Sequence, residues 1–255
     1  WDGLQDLAKD RALTTIADAA HALGALYKGE MVGSLADMTC FSFHPVKAIT
    51  SAEGGMTVTA SEAIADRLRQ FRNHGIVRDP ARFMASDDER EGQGSWYHEI
   101  QDIGLNYRIS DVQCALGLSQ LEKLDEFINR RRFLAERYTS AFAGSNLILE
   151  PHIAPDSATA WHLYVIRLNL EALAWSRRRV FEELRSRGVG VQVHYLPLHL
   201  QPYYRSRYGY QRGDFPYAEA YYDAAITLPL FPAMTERDVD QVVEIVLDIA
   251  SKAQR

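Results

Sequence analysis

A chain of 255 residues with 47% hydrophobic and 11% aromatic content carries enough apolar side chain to bury the core of one large or two modest domains, which excludes a disordered tail. Its 28 basic and 34 acidic residues are mixed along the sequence and leave a net charge of −6, so no basic surface for nucleic acid is implied. No apolar run approaches the roughly 20 residues of a membrane helix and no basic stretch followed by an apolar signal core opens the chain, so the expectation is a cytoplasmic protein without a membrane partner.

The opening Trp1-Asp2-Gly3 leads straight into Leu4-Gln5-Asp6-Leu7-Ala8, which reads as a helix already under way. With no initiator methionine, the numbering is expected to begin inside a longer polypeptide. Short β-type runs follow at Thr14-Thr15-Ile16-Ala17, Met38 to Phe43 and Met56 to Thr59, with few charges, as suits a sheet covered on both faces. Turns at Lys28-Gly29-Glu30 and Glu53-Gly54-Gly55 separate them, and Ser61 is placed to cap a helix through about Arg72. This is α/β patterning. The polar stretch from Ser86 to Gly94 reads as a mobile surface loop, a lid being the less favoured alternative.

Ser110-Asp111-Val112-Gln113 opens a helix in capping-box fashion. Val112, Leu116, Leu121, Leu124, Phe127, Ile128, Leu134, Tyr138 and Phe142 continue at mostly helical spacing, predicting one long connecting helix or two in series. Beyond Asn146 the pattern predicts a strand over 162–168, a helix from Ser176 to Arg187 and a strand over 190–194. A last helix capped by Thr235 turns Val239, Val242, Val243, Val246 and Ile249 inward. This half is expected to be a smaller α+β unit, with residues 1–125 forming the larger domain and 126–255 the smaller. Cys40 and Cys114, each inside an apolar segment, suit buried reduced thiols better than a disulfide or a metal site.

Chemistry concentrates in the first 55 residues: Asp18 just beyond a strand, the run Ser42-Phe43-His44-Pro45-Val46-Lys47, and the turn Glu53-Gly54-Gly55. An aspartate at the carboxyl end of a strand sits where open α/β sheets keep their ligands, and a lysine after a neighbouring strand reaches the same edge. A lysine attacks an aldehyde only as the neutral amine, and the apolar Val46, Ala48 and Ile49 around Lys47 would lower its ammonium pKa. A carboxylate such as Asp18 can keep a pyridine nitrogen protonated. Each residue has a plainer alternative: Lys47 a solvated turn lysine, Asp18 a cap for a helix over Ala19-Ala20-His21, Ser42 a hydroxyl bonded within a sheet.

Asp-Ala-Ala-His-Ala-Leu-Gly at 18–24, Ser-Phe-His-Pro-Val-Lys at 42–47 and Glu-Gly-Gly at 53–55 resemble the DegT-type nucleotide-sugar aminotransferases. The likeness runs on in order through Asn-Tyr-Arg-Ile-Ser-Asp at 106–111, Arg130-Arg131-Arg132, Trp161-His162-Leu163-Tyr164-Val165 and His194-Tyr195-Leu196-Pro197, covering essentially the whole chain. Within the family, Asn-His-Gly-Ile at 73–76, Trp96-Tyr97, Gln201-Pro202-Tyr203-Tyr204 and Gly213-Asp214-Phe215-Pro216 carry a likeness to pseudaminic-acid-pathway enzymes.

The resemblance implies an aspartate-aminotransferase-like, fold-type I α/β transferase, with a partial large domain and a C-terminal α+β small domain. It implies pyridoxal 5'-phosphate as cofactor, a UDP-linked 4-keto-6-deoxy N-acetyl hexosamine as substrate, L-glutamate as amino donor and a homodimer sharing its active sites. By the same resemblance, Lys47 holds the cofactor covalently and moves protons, Asp18 pairs with the pyridine nitrogen, His21 lies near the 3-hydroxyl and Ser42 holds the phosphate. Asn106 would reach the phosphate in the neighbouring subunit. His194, Tyr195 and Tyr203 would face the sugar or nucleotide, although His194 can equally be a packing residue and Tyr203-Tyr204 a domain-interface core. Arg130-Arg131-Arg132 reads as a solvated helix face.

Family members normally carry a long segment ahead of the Asp18 motif, with a threonine-bearing phosphate turn and a ring-stacking aromatic. Neither is visible here, so the N-terminal part of the family pattern is expected to be missing from this sequence. Ala52 stands where the family usually has glycine. Other readings are an incomplete or inactive fragment serving as a folding or interaction module, and a sugar dehydratase of the same fold. Lys47 argues against the dehydratase, which typically has histidine there.

Overall fold

The computed structural model describes residues 1–255 and divides into two compact units, Trp1–Leu124 and Asp125–Arg255. In the first unit, α1 (Asp2–Asp10) precedes β1 (Ile16–Asp18), the short β2 (Leu26–Tyr27) and β3 (Glu30–Met31), β4 (Met38–Ser42) and β5 (Gly55–Val58). Then come α2 (Glu62–Phe71), β6 (Ile76–Val77), β7 (Glu99–Ile100) and α3 (Asp111–Leu121). α4 (Leu124–Phe142) leads into the second unit. There follow β8 (Ile148–Leu149), β9 (Ser157–Ala158), β10 (Tyr164–Leu168), α5 (Arg177–Ser186), α6 (Pro202–Tyr208), α7 (Pro216–Ala224), β11 (Ala225–Leu228) and α8 (Glu236–Ala253). The apolar spacing over 112–142 thus resolves into two helices in series.

The central sheet of the first unit has the order β1-β4-β5. β1 and β4 run parallel, with Ile16 opposite Met38 and Asp18 opposite Cys40, and β5 lies antiparallel to β4. The parallel register sets the carboxyl ends of β1 and β4 side by side, which positions the site below. The sheet was expected to be covered on both faces; in this unit Ile16 and Met56 are exposed instead. α2 begins where the Ser61 hydroxyl accepts from the Ile64 amide. α3 begins at the expected capping box, with Gln113 reaching back to Ser110, yet buries none of its residues within this unit.

Cys40 and Cys114 are free thiols, half-buried rather than buried. The stretch from Ser86 to Gly94 is a chain of turns tied by its own side chains, with Glu89 accepting from the Ser86 amide at 2.7 Å. Just outside it, Glu99 accepts from the amides of Met84 and Ala85 at 2.7 and 3.0 Å.

The second unit folds around the antiparallel sheet β11-β10-β8, packed by α4, α5 and α8. Leu134, Tyr138 and Phe142 of α4, Tyr164 and Ile166 of β10, Leu184 of α5 and Val239, Val246 and Ile249 of α8 are all buried in one cluster. Each such side chain contributes about 1.5–3 kcal/mol relative to exposure. Tyr138 stacks on Tyr164 with ring centres 4.9 Å apart, and its hydroxyl donates to the Pro229 carbonyl at 3.0 Å. Burial pushes the Tyr164 phenol up to about 12. The helix from Thr235 forms with the expected inward face, save that Val243 is only partly buried.

Two expectations fail in this unit. The predicted strand over 190–194 is reduced to a single bridge between Gln192 and Thr227, held by one pair of backbone hydrogen bonds at 2.7 and 3.2 Å. The three arginines do not form a solvated face. Arg131 is 4% exposed, with Nη1 donating to the carbonyls of Leu230, Trp161 and His162 at 2.8, 3.2 and 3.4 Å. Arg130 donates to the Met234 carbonyl and Arg132 to that of Thr159. Nothing in a run of three arginines distinguishes such a carbonyl cradle from a hydrated helix face.

Candidate active site

β1 ends at Asp18, and the chain does not enter the helix over Ala19-Ala20-His21 that the plainer reading of Asp18 as a cap would need. The Asp18 carboxylate accepts from the Ala20 amide at 3.1 Å, and two successive turns, closed by Ala22 to Ala19 and Ala25 to Ala22, carry the chain past an exposed His21. Aspartate competes with the backbone for its own downstream amide, which is why a turn wins over a helix here.

β4 ends at Ser42, two residues past Cys40, the register partner of Asp18. The loop that follows is closed on Phe43, whose carbonyl accepts from the Ser51 amide at 3.0 Å and from the Thr50 hydroxyl at 3.1 Å. Within it the Lys47 amide donates to the His44 carbonyl at 2.9 Å, so Lys47 stands on a tight turn fixed at both ends. Ile49 beneath it is buried, whereas Val46 faces outward at 61% exposure and adds little to the apolar surround expected for Lys47.

Partial burial lowers the Lys47 pKa, and the nearby Asp18 carboxylate opposes that shift without reversing it. One side chain is therefore an amine made easier to deprotonate, and the other is an acceptor within electrostatic reach of it. Ser42 adds a hydroxyl at the end of the adjoining strand, where it accepts from the His44 amide at 3.4 Å. An amine for an aldehyde, a carboxylate for a ring nitrogen and a hydroxyl for a phosphate make a donor set that fits pyridoxal phosphate.

The turn after the loop is held by the Ser51 hydroxyl, which donates to the Glu53 carbonyl at 3.0 Å. The same carbonyl accepts from Gln113 at 2.9 Å, which ties the start of α3 to this turn. Asn106 belongs to another hydrogen-bonded group. It bridges Asn73, flanked by bonds from the His74 amide to the Leu105 carbonyl and from the Tyr107 amide to the Arg72 carbonyl, each 2.9 Å. Asn106 is exposed on the segment leading to α3.

Comparison with known proteins identifies this architecture. A model of the DegT/DnrJ/EryC1/StrS aminotransferase family matches residues 1–247. The chain belongs to that family. It is 37% identical over 253 residues to the Bacillus subtilis spore coat polysaccharide biosynthesis protein SpsC, covering 99% of the chain and 64% of the relative. It is 35% identical over 254 residues to a Campylobacter jejuni UDP-4-amino-4,6-dideoxy-N-acetyl-beta-L-altrosamine transaminase, covering 100% of the chain and 63% of the relative.

Among solved structures it superimposes on Helicobacter pylori PseC, an aminotransferase involved in the biosynthesis of pseudoaminic acid. There the TM-score is 0.88 at 29% identity, covering 98% of this chain and 63% of that one. The PMP form of a sugar aminotransferase described as putative, Spr1654 of Streptococcus pneumoniae, gives a TM-score of 0.84 at 33% identity, covering 94% of this chain and 60% of that one. The chain thus spans less than two thirds of the length of these relatives, and its fold is that of the family's fold-type I transferases, as its motifs imply.

In the second unit, the His194 ring nitrogen Nδ1 lies 2.8 Å from the Thr227 hydroxyl, and the ring meets Tyr195 edge-on at 4.6 Å between centres. Tyr195 and Tyr203 are 66% and 62% exposed. Sequence reasoning misses Thr227, although a lone hydroxyl inside the apolar run Ala225-Ile226-Thr227-Leu228 is a signal that it has a buried partner. It also misses His199 and Glu219, which are buried and hydrogen-bonded to one another at 2.8 Å.

Proposed function

We propose that this chain carries the cofactor-anchoring part of a pyridoxal-phosphate-dependent nucleotide-sugar aminotransferase. It acts on a UDP-linked 4-keto-6-deoxy N-acetyl hexosamine with L-glutamate as amino donor, in the synthesis of pseudaminic acid or a related surface sugar. The enzyme works in the cytoplasm as a homodimer with shared active sites. No helix is long and apolar enough to cross a membrane.

The observation that carries this reading is the grouping of Asp18, at the carboxyl end of β1, with Lys47, in the loop after the parallel β4, where burial lowers the lysine pKa and the aspartate opposes that shift. The names of the Campylobacter and Helicobacter relatives support the substrate class.

When bound, pyridoxal phosphate supplies an electron sink that makes a proton on the amino donor's α-carbon labile. Lys47 would hold the cofactor, and its Nζ, made easier to deprotonate by partial burial, would serve as the base that accepts a proton on the donor side and returns one on the sugar side. Asp18 keeps a proton on the ring nitrogen by charge-assisted hydrogen bonding, worth roughly 1.5–3 kcal/mol. Ser42 would donate its hydroxyl to the phosphate, His21 would stand near the ring's 3-hydroxyl, and Asn106 would serve the phosphate of the partner subunit's cofactor. His194, Tyr195 and Tyr203 orient the nucleotide sugar, aromatic faces giving flat apolar surface and hydroxyls giving direction.

The test is borohydride reduction of the full-length protein with pyridoxal phosphate, followed by peptide mapping. The expected result is about one cofactor per chain, fixed on Lys47 and absent from Lys47→Ala. A modified lysine elsewhere, or none, overturns the assignment.

A further inference from the structure

His199 and Glu219 are 7% and 6% exposed, and His199 Nε2 lies 2.8 Å from Glu219 Oε1. Glu219 projects from α7 and also accepts from the Gly213 amide at 2.8 and 3.0 Å and from the Phe215 amide at 3.4 Å. Arg212 adds a charged contact at 3.8 Å. Burial by itself would raise the Glu219 carboxyl, but the bonds from His199, Gly213 and Phe215 outweigh it and hold the group below its ordinary range. One carboxylate thus gathers the turn before α6, the loop after α6 and the start of α7.

A carboxylate costs free energy to bury, and packing alone is served as well by apolar residues. What this one holds is not a core. The loop it ties down carries an unbroken arc of ring contacts: Tyr203 to Tyr204 at 5.3 Å, Tyr204 to Tyr208 at 6.2 Å, Tyr208 to Tyr210 at 5.8 Å, Tyr210 to Phe215 at 5.5 Å and Phe215 to His199 at 4.7 Å. Tyr203, Tyr208 and Phe215 are 62%, 56% and 46% exposed. Arg205 and Arg207 lie on the same short helix, which has no acidic residue. Flat rings, phenol hydroxyls and two guanidinium groups match a base, a ribose and a diphosphate in turn.

We infer that the His199–Glu219 pair is a latch that fixes this aromatic arc as the surface receiving the nucleotide of the sugar substrate. His199 and Glu219 are positioning residues that touch no reacting atom; the inference rests on the aminotransferase reading and adds the element that shapes its substrate side. The amino-donor half of the reaction does not need the arc, whereas the sugar half does.

The experiment compares His199→Phe, Glu219→Gln and His199→Gln with wild type in the full-length, cofactor-loaded protein. UDP binding is followed by calorimetry and the two half-reactions by the loss and return of the cofactor's yellow absorbance. The latch predicts UDP binding weakened about tenfold in His199→Phe and Glu219→Gln, a loss of about 1.4 kcal/mol. The sugar half-reaction should show a raised KM, the glutamate half should be unchanged, and His199→Gln, which restores a hydrogen-bonding amide, should recover most of the binding. The unchanged glutamate half also reports that each variant is folded. Wild-type UDP affinity in both variants, or equal losses in both halves, overturns the latch alone. A wild type whose absorbance responds to neither glutamate nor the 4-keto sugar removes the aminotransferase reading, and the latch with it.

Discussion

The Asp18 carboxylate acts on the Lys47 ammonium from the carboxyl end of the neighbouring parallel strand, opposing a pKa depression that burial imposes. The sign has two consequences. Because the folded lysine binds its proton less tightly than the unfolded one, the unfolded chain holds more protons between the two pKa values, and stability rises with pH across that window. Removing the opposing carboxylate deepens the depression. In cofactor-free protein, amine labelling followed against pH should modify Lys47 at lower pH in the folded chain than in the urea-unfolded chain, and Asp18→Asn should move the folded-state midpoint lower still. A folded-state midpoint equal to that of the unfolded chain, or an upward move in the variant, contradicts the arrangement.

Ala52 adopts φ +67°, in the left-handed region, between the Thr50 hydroxyl that accepts from its amide at 2.9 Å and the turn at Glu53. An L-residue there carries strain of roughly 1–2 kcal/mol, part of which glycine gives back as extra freedom in the unfolded chain. Ala52→Gly should therefore stabilise the protein by about 0.5–1 kcal/mol, read as a higher midpoint in urea unfolding with an unchanged slope. A lower midpoint would mean that the turn prefers the methyl group.

These two sites show what can be read without coordinates. Local patterning was enough to expect Asp18 and Ser42 near the ends of strands and Lys47 in the turn after one, because strand ends and turns are local features with local signatures. Ser61, Ser110, Ser176 and Thr235 cap their helices for the same reason. What stayed illegible depends on partners far along the chain. Arg131 finds its carbonyls 30, 31 and 99 residues away, and Glu219 meets His199 across 20. The strand over 190–194 fails because its pairing with β11 is limited to Gln192 and Thr227, a matter of tertiary geometry rather than propensity.

Arg131 is the buried charge on which the second unit depends. Its guanidinium holds the carbonyls of Leu230, Trp161 and His162, and burial lowers its pKa. Arg131→Met keeps most of the side-chain volume but leaves those carbonyls without their donor, each worth about 1–3 kcal/mol when unsatisfied. Relief from burying a charge offsets part of this, so the expected destabilisation is about 2–4 kcal/mol by guanidinium denaturation. Arg132→Met, where the side chain is only partly buried, should cost less. Equal costs would argue that the cradle is incidental.

Gly75 governs where Asn106 stands. It has φ +71°, and a Cβ placed on it would fall 1.8 Å from the Asp102 carbonyl oxygen, a backbone atom that cannot swing aside. The same carbonyl belongs to the segment that pairs with 71–76 and ends in Asn106, through the bonds of Gln101 to Gly75, His74 to Leu105 and Tyr107 to Arg72. Gly75→Ala must therefore push 101–107 away as a strip, on top of roughly 1–2 kcal/mol for the left-handed conformation alone. If Asn106 holds the cofactor phosphate in the partner subunit, the variant should lose cofactor on dialysis faster than wild type while Lys47 still reacts with added pyridoxal phosphate. Asn106→Ala should reproduce that loss without the fall in thermal stability. A Gly75→Ala protein that is destabilised yet retains cofactor as wild type does would separate the strip from the phosphate and remove Asn106 from the site.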